Sequence, residues 1–385
     1  MRVLTKSLGV VALAAAFANP SWSYDTASRY KLLYSFGYYV TGALPGDLVL
    51  DKAGNILGDV YTGGPTQRGG IFRFSPDGTY TMLYSFSGAD GSSPNGFIYD
   101  RHSGRIIGST GYGGRVEHCR KMGCGVVYSL DADGTERLLH KFLKKKDGFG
   151  PSAPVRDGNV FFGVAYANGP NGNGSIWRLT GKQFTVMHAF SGGSDGAYPV
   201  GPLLRGLDGN FYGSTSGGGG KDWAGVIYRM SPDGSFATLH ALTYATDGAH
   251  PGSLVQDTAG NLYGSTIQGG SGGLGTVFKV TPDGTFSVIY SFTNAAQGSR
   301  PVALRVIDNV LYGTTLFGGD PTCQCGVLYK LAFDGTETVL HTFLGGQAED
   351  GAFPGSITAG PNGMLYGATT GGGPDNEGTL YQLKR

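Results

Sequence analysis

The sequence predicts an all-β fold: a seven-bladed β-propeller of four-stranded blades, with the ring closed by the N-terminal strand completing the last blade. Three observations carry that expectation. An aromatic-ended tripeptide returns about every 50 residues, four strand-like runs lie between successive copies, and each chain end lacks what the other has. The third positions of the tripeptide are Phe36, Phe86, Phe142, Phe190, Leu242, Phe292 and Phe343. That period matches one blade and not a two-helix repeat of about 34 residues.

The elements follow in order in the best-preserved copy. A short strand from Ser253 to Asp257 ends in the turn Thr258-Ala259-Gly260-Asn261, and a second strand runs from Leu262 to Thr266. A glycine-rich stretch leads to a third strand, Thr276 to Val280, then the turn Thr281-Pro282-Asp283-Gly284 and a fourth strand from Phe286 to Phe292. The Gly-Asn and Asp-Gly pairs sit where tight hairpins need positive φ, and the runs between them alternate with period two. A glycine recurs in every second strand (Gly58, Gly108, Gly163, Gly213, Gly264, Gly313, Gly367) and an aromatic in every third (Phe72, Tyr128, Trp177, Tyr228, Phe278, Tyr329, Tyr381). The expectation is that blades crowding round an axis need the glycines, while the aromatics fill the wedges between sheets. Lys31 to Phe36 reads as a fourth strand without partners and Gly378 to Leu383 as a final third strand, so docking one on the other removes both free edges.

Composition narrows the function classes. Of 385 residues 70 are glycine, about 18% where roughly 7% is usual, yet 40% are hydrophobic and 12% aromatic, more apolar surface than a disordered chain carries. Arg2 and Lys6 precede an apolar run from Leu8 to Ala18, then Pro20 and the triplet Ser21-Trp22-Ser23, the layout of a secretory signal peptide. Residues 1–23 are therefore expected to be removed and 24–385 to form a single propeller domain in the periplasm or outside the cell. The run is too short to span a bilayer, so no transmembrane segment is expected. Loss of Arg2 and Lys6 takes the formal charge from +1 to −1, which argues against nucleic acid as a partner.

The residues from Asp247 to Phe292, with Asp-Gly-x-x-Pro, Gly-Asn-Leu-Tyr-Gly-Ser-Thr, Gly-Thr-Val-Phe-Lys-Val-Thr-Pro-Asp-Gly-Thr and Tyr-Ser-Phe, resemble the GloVer (Gloeo/Verruco) tandem repeat of exported bacterial proteins. The resemblance covers essentially the whole mature chain. It implies export and a repeat architecture, and no assigned activity.

In a four-stranded meander all the long, uneven loops lie at one end, the face where a rigid scaffold presents binding residues. Seven connections there share a Gly-x-x-Pro frame, and the residue before proline is Leu44, Ser93, Gly150, Tyr198, His250, Arg300 or Phe353. Tyr198, Trp223, His250, Arg300 and Phe353 are the candidate ligand-binding residues of this face. Asp90, Asp147, Asp195, Asp247 and Asp350 precede the frame glycine and read as turn caps bonding to the backbone two residues on. From Arg115 to Lys146 eight basic residues stand against four acids. Arg115, Arg120, Lys121, Lys144, Lys145 and Lys146 form a candidate patch for an anionic glycan or envelope polymer.

Export makes disulfides the default state of the four cysteines, closing locally as Cys119 with Cys124 and Cys323 with Cys325. No metal site and no cofactor are expected. His140, His188, His240 and His341 occupy the position held by Tyr34, Tyr84 and Tyr290 in other copies, which reads as a packed ring and not a set of general bases. No repeat is singled out by paired carboxylates. The function expected is a monomeric, exported, non-catalytic propeller that binds a glycan or cell-envelope polymer. The alternatives are a polysaccharide lyase or hydrolase using Arg156, Arg205, Arg305, Gln256 and His250 at the axial mouth, and a structural surface protein.

Overall fold

Seven antiparallel sheets follow one another around the ring of a β-propeller in the computed structural model, which describes residues 29–114, 119, 122–346 and 350–385. The expected signal peptide lies outside these residues. The first blade shows the order common to all: strands Ala43–Leu50, Ile56–Thr62, Gly70–Phe74 and Tyr80–Ser85, joined in sequence as a meander. Apart from strands, regular structure is confined to short 3-10 turns such as Ala295–Gln297 and Pro361–Gly363 among the described residues.

Closure is as expected. Tyr30–Ser35 pairs antiparallel with Thr379–Lys384, from Tyr30 opposite Leu383 to Ser35 opposite Thr379, and so becomes the fourth strand of the last blade. The Phe36 N–H then donates to the Gly378 carbonyl at 3.0 Å, the same bond that Phe86 makes to Gly69 and Phe292 to Gly275 within continuous blades. The seam therefore repeats the ordinary blade bonding.

The core is divided into seven apolar clusters, one between each pair of neighbouring blades. The seam cluster shows the pattern: Phe36, Ala368 and Leu380 from the last blade meet Leu48, Ile56, Val60 and Phe72 from the first. The third-strand aromatics fill these wedges as expected, all seven fully buried. The reason for the second-strand glycines differs from the expectation. A Cβ on Gly213 would stand 2.3 Å from the Tyr228 hydroxyl oxygen, and one on Gly264 2.4 Å from Cζ of Phe278. Each ring belongs to the residue paired opposite on the adjacent strand of the same blade. The glycine makes room for its own blade's ring and not for a neighbouring blade.

The Gly-x-x-Pro frame also differs from a pure loop platform. Its last residues open the innermost strand: Ala43 pairs with Thr62 and Pro45 with Val60 before a bulge shifts the register to Leu48 opposite Gly58. In two blades the irregularity breaks the strand in two, as in Ala249–Pro251 and Val255–Gln256.

Removing residues 24–36 takes away the strand that closes the ring and leaves the edge of Thr379–Lys384 and the Phe36 pocket exposed. The truncated protein is expected to melt at least about 10 °C lower than the intact chain in calorimetry, with a broadened transition. An unchanged Tm would contradict closure.

Candidate functional site

The residue before each frame proline is held in the left-handed region. Leu44, Ser93, Tyr198, His250, Arg300 and Phe353 have φ between 55° and 59°, and Gly150 has 66°. An L-residue there is strained by about 1–2 kcal/mol, and bulky side chains avoid it. An inter-blade hydrogen bond offsets the strain. The backbone N–H of Tyr198 donates to the Asn173 carbonyl at 2.8 Å, that of His250 to Ala224 at 2.9 Å, that of Arg300 to Leu274 at 2.9 Å and that of Phe353 to Cys325 at 2.8 Å. Each acceptor precedes a glycine against which the frame proline packs, so that a Cβ on Gly275 would meet Cδ of Pro301 at 2.7 Å. The frame is therefore a blade-to-blade clasp, and its variable residue is thrown outward onto the loop face.

The expected binding residues form one arc across consecutive blades. Tyr198 stacks on Tyr166 of the preceding blade, centroids 5.5 Å apart. Trp223, 45% exposed, lies over Gly217, and its neighbour Ala224 accepts the His250 N–H. His250 Nδ1 sits 2.6 Å from the Ser216 carbonyl, an acceptor only, so Nδ1 carries the proton and donates. The Arg300 guanidinium lies 5.1 Å from the Phe317 ring centre, and Phe353 meets the same ring edge-on at 5.5 Å. Second-strand ends supply further half-exposed rings, Tyr61, Tyr112 and Tyr166, which the sequence reading missed because they vary from blade to blade.

The repeat histidines are clasps as well. His140, His188, His240 and His341 place Nε2 2.9–3.1 Å from Oδ2 of Asp147, Asp195, Asp247 and Asp350, and Tyr84 makes the matching bond to Asp90 at 2.6 Å. Each histidine ring stacks on an aromatic of the next blade, Phe184, Phe236, Phe286 or Tyr30, at 3.8–3.9 Å. The aspartates do cap turns, but mainly backward: Asp147 accepts from the Leu143 N–H and Asp247 from the Thr243 N–H, four residues upstream. Burial alone would raise Asp195 and Asp350. Hydrogen bonds from Ser191 to the first, and from His341 and Tyr30 to the second, outweigh it and hold both carboxyls below the ordinary range. Burial lowers His188 despite Asp195 beside it.

Inside the arc a cavity of about 560 Å³ runs from Leu44 and Tyr61 at the rim inward to Asp47 and Asp59, with Asn95, Ser152 and Ser253 in its wall. This corrects the expectation that no repeat carries paired carboxylates, because the first blade does. The signal lay in the alignment of copies: the residue after the second-strand glycine is Asp59 here but Ser109, Val164, Ser214, Ser265, Thr314 and Ala368 elsewhere. Burial first, then the Asp47 charge, pushes Asp59 up to about 8. Burial also raises Asp47, with Arg305 opposing.

The rival axial group does not assemble. Arg156 pairs with Asp100 at 3.1 Å, Arg205 with Asp157 at 3.1 Å, and Gln256 accepts the Leu207 N–H, all at the tight-turn ends of the inner strands, whereas His250 stands on the loop face. Arg305 is the one member whose charge reaches the axial carboxylates. Of the basic patch, Lys144, Lys145 and Lys146 occupy the connection into the third blade, the last two exposed, while Arg115, Arg120 and Lys121 lie outside the described residues. Both cysteine pairs are disulfide-bonded within their loops, with Cα atoms 5.4 Å and 5.2 Å apart. No helix among the described residues is long and apolar enough to cross a membrane.

The model of the Gloeobacter/Verrucomicrobia repeat matches residues 19–223 and 202–385. The chain belongs to that repeat family. No curated protein matches it by sequence. Solved structures match by shape. The extracellular domain of a protein assigned to the hybrid two-component systems of B. thetaiotaomicron is 12% identical with a TM-score of 0.60, over 92% of this chain and 39% of that one, so the repeat protein spans about two-fifths of its length. The WD40 propeller domain of Doa1 is 11% identical with a TM-score of 0.58, over 91% and 96% of the two chains. The GH74 xyloglucanase of Xanthomonas campestris is 14% identical with a TM-score of 0.57, over 91% and 55%. At these identities the likeness is one of fold alone.

Two outcomes are expected for this repeat protein. Arg300→Gly relieves a strained φ at an exposed site, so urea unfolding should show stability unchanged or raised by up to about 1 kcal/mol; a clear loss would mean that the Phe317 contact outweighs the strain. On acidification stability should fall in two stages. A group with a lowered folded pKa favours folding above its unfolded value and loses that contribution as pH falls. His188 therefore acts below about pH 6.5, and Asp195 and Asp350 below about 4. Tm followed from pH 8 to 3 tests both, and His188→Tyr should reduce the first stage.

Proposed function

We propose that this repeat protein is an exported, monomeric, non-catalytic propeller that binds a glycan or cell-envelope polymer across its loop face. One observation carries the reading. Among the described residues ten large apolar side chains are more than a third exposed, and all but Leu207 stand on the loop face. Exposed apolar surface gathered on one side marks an interaction site. The half-exposed rings of Tyr61, Tyr166, Tyr198 and Trp223 suit stacking on sugar C–H faces, with His250 and Arg300 between them as hydrogen-bonding groups. Lys144, Lys145 and Lys146 add positive charge suited to anionic substituents. The signal-like N-terminus and the two disulfides support an oxidising, exported setting. A polysaccharide hydrolase is the second reading, favoured by the Asp47–Asp59 pair.

Glycan-array binding followed by calorimetric titration tests the proposal. Tyr198→Ala and Trp223→Ala should each weaken binding about tenfold, equivalent to about 1.4 kcal/mol, with Tm little changed. Reversing Lys144, Lys145 and Lys146 to Glu should abolish salt dependence toward anionic glycans. Release of reducing sugar with turnover would favour the hydrolase, and no glycan bound at all would leave the structural role.

A further inference from the structure

The axial cavity departs from the repeat at two positions at once, both in the first blade. The residue two after the frame proline is small in every other blade, Gly96, Ala153, Gly201, Ser253, Ala303 or Ser356, and is Asp47 here. The residue after the second-strand glycine, discussed above, is Asp59. In four other blades a Ser or Thr at that second position donates to a carbonyl of the next blade's inner strand, as Ser214 does to Gly252 at 2.8 Å and Thr314 to Gly355 at 2.8 Å. Asp59 reverses the polarity: its Oδ2 accepts the Gly96 N–H at 3.1 Å. That bond uses one oxygen. Asp59 is 2% exposed, and its Oδ1 has no hydrogen-bond partner.

Two glycines leave room for the carboxylates. A Cβ on Gly46 would stand 2.6 Å from Asp59 Oδ1, and one on Gly96 2.5 Å from Asp47 Oδ2. Both side chains thus converge on Gly96, one by a hydrogen bond and one by close approach. Two carboxylates placed together in a low-dielectric wall cannot both stay charged alone: the pair either keeps a proton or takes up a cation that displaces it. Arg305 acts on Asp47 and leaves Asp59 Oδ1 without a partner. Around them Asn95, Ser152 and Ser253 offer amide and hydroxyl oxygens, with no sulfur or imidazole in the lining. An oxygen-only set with two carboxylates suits a hard divalent cation that keeps several waters, and not zinc, whose sites draw on sulfur and imidazole. Among the described residues no three His, Cys, Asp or Glu side chains converge, so neutral oxygens and water would complete the shell.

We propose that Asp47 and Asp59 form a hard divalent-cation site, Ca²⁺ in class, in the axial cavity of this propeller. The site is independent of the glycan reading, because its ligands lie below the aromatic rim.

The test uses the mature chain after treatment with chelator. Titration with CaCl2 should show about one ion bound per chain with Kd in the range of extracellular calcium modules, about 10⁻⁴–10⁻³ M, and 5 mM CaCl2 should raise Tm by about 1–3 °C. Asp47→Asn and Asp59→Asn should each weaken binding at least tenfold. Asp59→Ser, which installs the residue that three other blades carry at this position, gives a variant the repeat is known to fold with and should do the same. Asp133→Asn, in a tight turn on the opposite face, should leave binding unchanged. No ion bound and no Tm shift with Ca²⁺, Mg²⁺ or Mn²⁺ would overturn the proposal, as would binding that survives both carboxyl replacements.

Discussion

A glycine beneath an aromatic ring is the contact from which the rest of this molecule is built. In each blade the third-strand ring lies over the glycine paired opposite it, closer than any Cβ would allow, and its far side enters the wedge against the next blade. Seven such wedges replace a single central core. An overpacked wedge cannot relax by moving its neighbour, because that neighbour is wedged in turn; the cost of a misfit therefore spreads round the ring. The same geometry explains why the aromatic can be Phe, Tyr or Trp while the glycine does not change.

Around these wedges runs a second layer of clasps. The frame proline packs on a glycine of the preceding blade, the residue before it bonds that blade through its N–H, and a His–Asp or Tyr–Asp pair ties the outer strand to its turn. The clasp at the frame has a functional corollary. Holding the backbone in a left-handed conformation turns the variable side chain away from the strand, so scaffold and display are made by the same four residues. The side chains at Tyr198, His250, Arg300 and Phe353 can then vary without altering the bonds that join the blades.

How much of this was legible depended on whether a property is local or shared. Period, strand order and disulfide pairing follow from residues near one another in sequence, and closure from what each chain end lacks; the structure agrees with each. That Tyr198, His250, Arg300 and Phe353 share one face was also legible, since equivalent positions of a closed repeat must fall together, and Trp223 joins them because its long loop lies at the same end of the meander. The rings at the second-strand ends were not, because no repeat pattern marks Tyr61 or Tyr166. Grouping Arg156, Arg205 and Gln256 with His250 failed for a related reason. All four belong to inner strands, but their height along the axis is set by strand position, and three of them bond at the turn ends.

From the sequence alone come the number of blades, the order of strands and the side on which variation gathers, because these are encoded by repetition and by turn residues that act over a few positions. The axial carboxylates needed the folded ring. Asp47 and Asp59 lie 12 residues apart in the chain and are unremarked as a motif, and what joins them is a bulge in the inner strand, a glycine contributed by the next blade and a cavity that exists only once seven blades have closed around it.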